Sequence, residues 1–157
     1  EASRAVFRVG RERPEVHLEM RVYLDINILA FIVGQDQGDS ISNDVDAIIN
    51  AYDTLVLTSS TCVHELVHII QKGKVHIPGC KDNAALQKLD EIGVSMVPVT
   101  MNHIRTLIDL PLYDDHRDPN DRLIVAQAIS DRIPLVSSDG KFTRYERYGL
   151  DFIQNRR

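Results

Sequence analysis

The sequence predicts an α/β domain with a largely parallel sheet. Short apolar runs rich in β-formers alternate with segments of helical period along most of the chain, the pattern of strands joined by helical crossovers. Its 157 residues, 43% hydrophobic and 26% charged, suffice for one domain with a real core. After Met20 no repeat, low-complexity tract or inter-domain linker interrupts this order.

The elements follow in sequence. Arg21 to Asp25 (RVYLD) reads as a strand, and Asn27 to Val33 as a helix closed by Gly34. The polar loop GQDQGDSISND leads to Ser42 or Asn43, either a good cap for a helix to about Tyr52. Thr54 to Thr58 (TLVLT) reads as a buried strand, and Ser59 or Ser60 caps a helix to about Lys72. On that helix Val63, Leu66, Val67 and Ile70 form an i, i+3, i+4, i+7 stripe, which leaves Glu65 nearly opposite the core. A helix is expected over Asp82 to Glu91 and a strand over Val94 to Val99, where Pro98 marks an edge or an exit. Thr100 caps a short helix to about Asp109, and LPLYDDHRDP is a loop. Asp118 caps a helix with Pro119 at its first position, running to about Arg132. Ile133 to Ser137 is a strand, a short helix follows Gly140, and Leu150 to Ile153 is a candidate last strand.

Composition narrows the function classes. No apolar run approaches the ~18 residues of a membrane span. Two cysteines, Cys62 and Cys80, are too few for a disulfide framework, so reduced thiols and a cytoplasmic setting are expected. A formal net charge of −5 argues against a simple basic nucleic-acid binder. It leaves room for a nuclease whose carboxylates collect divalent cations, since the ions then supply the positive charge. Residues 1–19 lack the pattern of the rest and read as a separate N-terminal extension, either vector-derived or a native arm, ahead of a domain over 20–157.

Four acids stand out by position. Asp25 ends the first strand, and Asp139 follows the strand that precedes the final short helix. Glu65 lies in the first turns of the helix after TLVLT, and Asp121 in the first turn of the helix begun by Pro119. In an open parallel sheet, strand C-termini and helix N-termini share the edge where ligands bind. Singly, each acid has an ordinary role as a cap, a turn residue, a helix-dipole partner or a solvated side chain. Jointly they make an oxygen-rich site suited to Mg²⁺ or Mn²⁺.

The strings YLDINILAF, SSTCVHEL, HRDPNDRLIVAQA and PLVSSDGKF resemble the motif blocks of the PIN-domain superfamily, in order from about Arg21 to Tyr145. Within it they look most like bacterial VapC-type toxins of toxin–antitoxin pairs. The resemblance places the family's acids on Asp25, Glu65, Asp121 and Asp139, its polar residue after the first acid on Asn27, and its Ser/Thr before the fourth on Ser137. It implies a three-layer α/β/α sandwich around a parallel sheet of four or five strands. It further implies Mg²⁺- or Mn²⁺-dependent cleavage of RNA, a homodimer, and inhibition by a cognate antitoxin. Ile26 departs from the pattern, which usually has Thr or Ser there.

Two other readings compete. His64-Glu65-Leu66-Val67-His68 is a literal H-E-x-x-H, which on a helix is a zinc-protease signature. Its extended form needs a glycine and a third histidine where this chain has Gln71 and Lys74. Glu91 is then the remaining candidate third ligand, and Asp25, Asp121 and Asp139 go unexplained. Ile26 motivates the other reading, a catalytically weak PIN module that binds RNA or a partner. Arg117, Arg122, Lys141 and Arg144 flank the acids and are candidate RNA-backbone contacts.

Overall fold

The computed structural model describes residues 20–34, 41–77 and 84–156. The N-terminal extension, Cys80 and the expected helix start at Asp82 lie outside the described residues. Among the described residues are strands β1 (Met20–Leu24), β2 (Thr54–Ser59), β3 (Ser95–Val97), β4 (Leu135–Ser137) and β5 (Phe152–Gln154). The helices are α1 (Ile26–Val33), α2 (Asn43–Asn50), α3 (Ser60–Gln71), α4 (Ala84–Ile92), α5 (Met101–Ile108) and α6 (Pro119–Asp131). The segment after Gly140 is a 3₁₀ helix, Gly140–Tyr148, closed by Gly149 in the left-handed region at φ 104°.

The strands form one parallel sheet in the order β3-β2-β1-β4-β5. Successive strand residues face opposite sides, and Val22, Tyr23 and Leu24 of β1 are all fully buried, as are Leu135, Val136 and Ser137 of β4. Both faces of the central strands are therefore covered by helices, which accounts for their unbroken apolar runs. Edge strand β3 is only three residues long, shorter than the expected Val94 to Val99, with Pro98 just past its end. Proline has no amide hydrogen to continue the ladder.

Helix starts agree with local chemistry. Asp25 caps α1, Ser42 caps α2, Ser59 caps α3 and Asp118 caps α6, each accepting a backbone N–H from the first turn. The apolar face of α3 differs from expectation. Cys62 and Leu66 are buried, and Val63, Ile69 and Ile70 pack partly against the core, whereas Val67 does not join it. The buried face thus centres on Cys62, Leu66 and Ile69, turned toward Glu65. Glu65 stands on its flank, half-buried, rather than opposite the core.

On β1, the Tyr23 hydroxyl donates to Asp131 at the end of α6, and the Asp131 carboxylate also meets His103 Nε2 of α5 at 2.9 Å. His103 Nδ1 accepts the Thr100 N–H at 2.9 Å. This chain of polar contacts ties the sheet to α5 and α6 through groups that are each satisfied. No described helix is long and apolar enough to cross a membrane.

Candidate functional site

The strand order places β1 beside β4, and the chain leaves these neighbours in opposite directions, to β2 and β3 on one side and β5 on the other. Such a switch point opens a crevice outside the strand C-termini. Asp25 lies at the end of β1 and Asp139 just beyond β4. The Asp25 N–H continues the ladder to Val136 O at 3.0 Å.

Asp25 is only 2% exposed and both of its oxygens are engaged. Oδ1 accepts the Ile26 N–H at 2.8 Å, and Oδ2 accepts the Ser137 hydroxyl at 2.7 Å and, more loosely, the Asn27 amide at 3.4 Å. Ser137 Oγ in turn accepts from Asn27 Nδ2 and from the Asp139 N–H, each at 3.1 Å. Asn27 Oδ1 takes the Ser138 N–H at 3.1 Å. Asn27 and Ser137 thus lock the ends of β1 and β4 together and fix the Asp25 carboxylate.

Burial pushes the Asp25 carboxyl up to about 6, opposed by the Ser137 and Ile26 hydrogen bonds and reinforced by Asp139 and Asp118. Asp121 is pushed to about 8 by burial, with Asp25, Asp118, Glu65 and Asp139 all adding to the rise. Glu65 is raised by burial, then by Asp118 and Asp25. Asp25, Glu65 and Asp121 are thus each raised in part by neighbouring carboxylates, Asp139 acting on Asp25 and Asp121, although the four acids differ in proximity. Asp121 and Asp139 offer oxygens within 4.8 Å of each other and of a nitrogen of His116. Asp25 and Glu65 are outside that grouping.

His116 and Asp118 had no site role in the sequence reading. Asp118 is both the α6 cap and a further carboxylate acting on Asp25, Glu65 and Asp121. His116 is 5% exposed. Its Nε2 stands 3.3 Å from Asp121 Oδ2 and 3.6 Å from Asp139 Oδ2 without a hydrogen-bond partner. Both residues lie in HRDPND beside Asp121, which was the available signal. An orphaned buried nitrogen facing crowded carboxylates suits a divalent cation, whose charge would relieve the acids and whose coordination would satisfy the nitrogen.

The other candidates are spread differently. His64 and His68 are exposed on α3, and neither belongs to the three-ligand grouping found among the described residues. Arg144 grips Asp115 with two bonds of 2.6 and 3.1 Å, holding that carboxyl down at about 2, and lies over the Tyr113 ring. Lys141 Nζ donates to Asp115 O at 2.9 Å. Arg122 turns inward to Leu110 O at 2.9 Å. Arg117 is exposed and approaches Asp114 at 3.5 Å.

Parallel α/β topology with an acidic crevice at the switch point defines a class of α/β folds that take ligands at that edge. The family model described as PIN domain matches residues 22–148, and the chain belongs to that family. Among solved structures, the chain is similar to VapBC2 from Rickettsia felis bound to a promoter DNA fragment, with TM-score 0.62 and 20% identity over 87% of this chain and 100% of that one. It is also similar to VapBC-5, a toxin–antitoxin member from Mycobacterium tuberculosis, with TM-score 0.56 and 19% identity over 85% and 98% of the two chains. A third similar structure is VapC20 of the same organism, described as a sarcin-ricin loop cleaving toxin, with TM-score 0.56 and 16% identity over 78% and 93%. No curated protein matches the chain.

Proposed function

We propose that the chain is a metal-dependent endoribonuclease that hydrolyses RNA phosphodiester bonds, the toxin of a toxin–antitoxin pair. What supports this reading is the closeness of Asp121 and Asp139 beside His116 at the crevice, with Asp25 and Glu65 acting on Asp121 through their charges, so that Asp25 and Asp121 are pushed up to about 6 and 8. Membership of the PIN family supports it. A bound Mg²⁺ or Mn²⁺ would polarise the scissile phosphate and acidify an attacking water. Asp25, Asp121 and Asp139 would hold the ion, with Asp25 oriented by Ser137 and Asn27. Glu65, half-buried at the margin, would orient the water and take its proton, or hold a second ion. Hydrolysis by water leaves the RNA 2′-hydroxyl unused.

Arg117 and Lys141 are the candidate backbone contacts best exposed for this, while Arg122 and Arg144 shape the loop around the site. The similar structures described as VapBC pairs support an antitoxin as partner. Homodimerisation is part of the same reading, and light scattering of the chain without antitoxin checks it: a monomer at every concentration counts against it.

Metal-stripped protein incubated with RNA and with casein, adding Mg²⁺, Mn²⁺ or Zn²⁺ separately, tests the whole proposal. RNA loss with Mg²⁺ or Mn²⁺ is expected. Zn²⁺-dependent casein cleavage would instead favour His64 and His68, and neither activity would leave a binding module.

A further inference from the structure

The loop before α6 is built more firmly than its exposed acids require. Arg144 and Lys141 from the 3₁₀ helix clamp Asp115 through its carboxylate and its carbonyl, and Tyr113 pairs with His116 across a tight turn. The result is a fixed imidazole. The Phe142 ring meets it edge-on at 5.1 Å and the Tyr145 ring lies 5.6 Å away. Its Nδ1 is 2.9 Å from the Tyr145 hydroxyl. One nitrogen is thus anchored to a fully buried tyrosine, and the other is directed at Asp121 and Asp139.

The contacts at Nε2 are not those of a hydrogen-bonded pair. At 3.3 and 3.6 Å from the two carboxylates, Nε2 makes a hydrogen bond to neither. Ligands about 2.1 Å from a shared ion, at bond angles near 90–110°, stand roughly 3.0–3.4 Å apart, flanking the metal rather than facing one another. The spacing at Nε2 is close to that pattern. In the tautomer that donates Nδ1–H to Tyr145 Oη, the Nε2 lone pair is free, as with the outer hydrogen bond of a metal-bound histidine.

We propose that His116 Nε2 is a nitrogen ligand to a divalent ion shared with Asp121 and Asp139, oriented by Tyr145, and that it biases the site toward first-row transition ions over Mg²⁺. This rests on the metal-dependent reading above. Mg²⁺ prefers an all-oxygen shell, whereas an imidazole favours Co²⁺ over Mn²⁺ and either over Mg²⁺. Tyr145 acts here as a positioning residue, since its hydroxyl touches His116 rather than the ion.

The test is direct binding to the full, metal-stripped chain, by calorimetric titration with MgCl₂, MnCl₂ and CoCl₂. Wild type is expected to bind Co²⁺ more tightly than Mn²⁺, and Mn²⁺ more tightly than Mg²⁺. His116→Gln should lose about 10-fold or more in affinity for Co²⁺ and Mn²⁺ and under about threefold for Mg²⁺. Pulsed electron paramagnetic resonance of the Mn²⁺ form should show a ¹⁴N coupling in wild type that vanishes in His116→Gln and persists in Tyr145→Phe. Should His116→Gln not fold, the wild-type spectrum decides alone, and a Mn²⁺ site without nitrogen coupling overturns the proposal. Binding that Asp121→Asn abolishes but His116→Gln leaves unchanged removes His116 while keeping the metal site. A wild-type chain that binds none of the three ions overturns both readings.

Discussion

At Asp121, burial and neighbouring carboxylates act in the same direction, so the folded chain prefers this acid protonated. Its unfolded value is near 3.9. A raised folded value means that the stabilisation is fully present below about pH 4 and is lost as pH rises through about 8; Asp25 adds a smaller loss that runs from about pH 4 to about 6. The metal-free protein should therefore melt at progressively lower temperature from pH 4 to pH 8. Asp121→Asn should flatten that slope and raise the pH 8 melting point by about 2–4 °C for each kcal/mol of repulsion relieved. A variant whose melting curve parallels wild type across this range would show that the acids are not crowded. Cleavage assays separate holding an ion from orienting a holder. Asp25→Asn and Asp121→Asn should each lower Mg²⁺-dependent RNA cleavage by more than about 100-fold with unchanged circular dichroism, and Ser137→Ala by about 10–100-fold, the usual range for outer partners of a metal site. Near-normal cleavage by both Asp variants would remove them from the site. His64→Ala and His68→Ala should keep most of the activity.

Within single elements, legibility followed how local the determining interaction is. Helix α6 was readable because Asp118 caps it and Pro119 occupies its first position, a signal complete within a few residues. The face of α3 was readable only in part. Of its expected stripe, Val63, Leu66 and Ile70 pack on the core and Val67 does not, because several apolar residues of this helix fit more than one arc and tertiary packing adds Cys62 and Ile69. That rotation moves Glu65 from the solvent side to the flank of the core, which is why its carboxyl is raised. Leu66→Ala should cost about 2–5 kcal/mol by urea denaturation, as for a buried leucine, and Val67→Ala less than about 1 kcal/mol. Equal costs at the two positions would restore the sequence-read face. His116 was hidden for a different reason. Its role depends on Tyr145, Phe142 and Asp139, residues distant in sequence, and a lone histidine in a polar loop carries no period to read.

Across the whole molecule, alternation of strands and helices made the parallel sheet legible, and the acids could be assigned to one edge before the strand order was known. The order itself was not encoded in any single segment. Only with β1 beside β4 does that edge become a crevice at the switch point, and only then do Asn27 and Ser137 meet. On the proposed function, this architecture couples stability to metal. An ion held by the folded crevice and not by the unfolded chain stabilises by RT ln(1 + [L]/Kd), about 2.7 kcal/mol at 100 times Kd. Holding it requires Asp25 and Asp121 to give up protons, so binding tightens as pH rises, steeply up to about 6 and more gently up to about 8, where it levels off. The metal-free protein is least stable at that same end of the range. Mn²⁺ at a fixed millimolar concentration should consequently raise the melting temperature far more at pH 8 than at pH 5, and the increment should disappear in Asp121→Asn. An increment of equal size at both pH values would mean that the ion binds elsewhere, at groups that do not titrate in this interval, and would detach the acidic crevice from the metal.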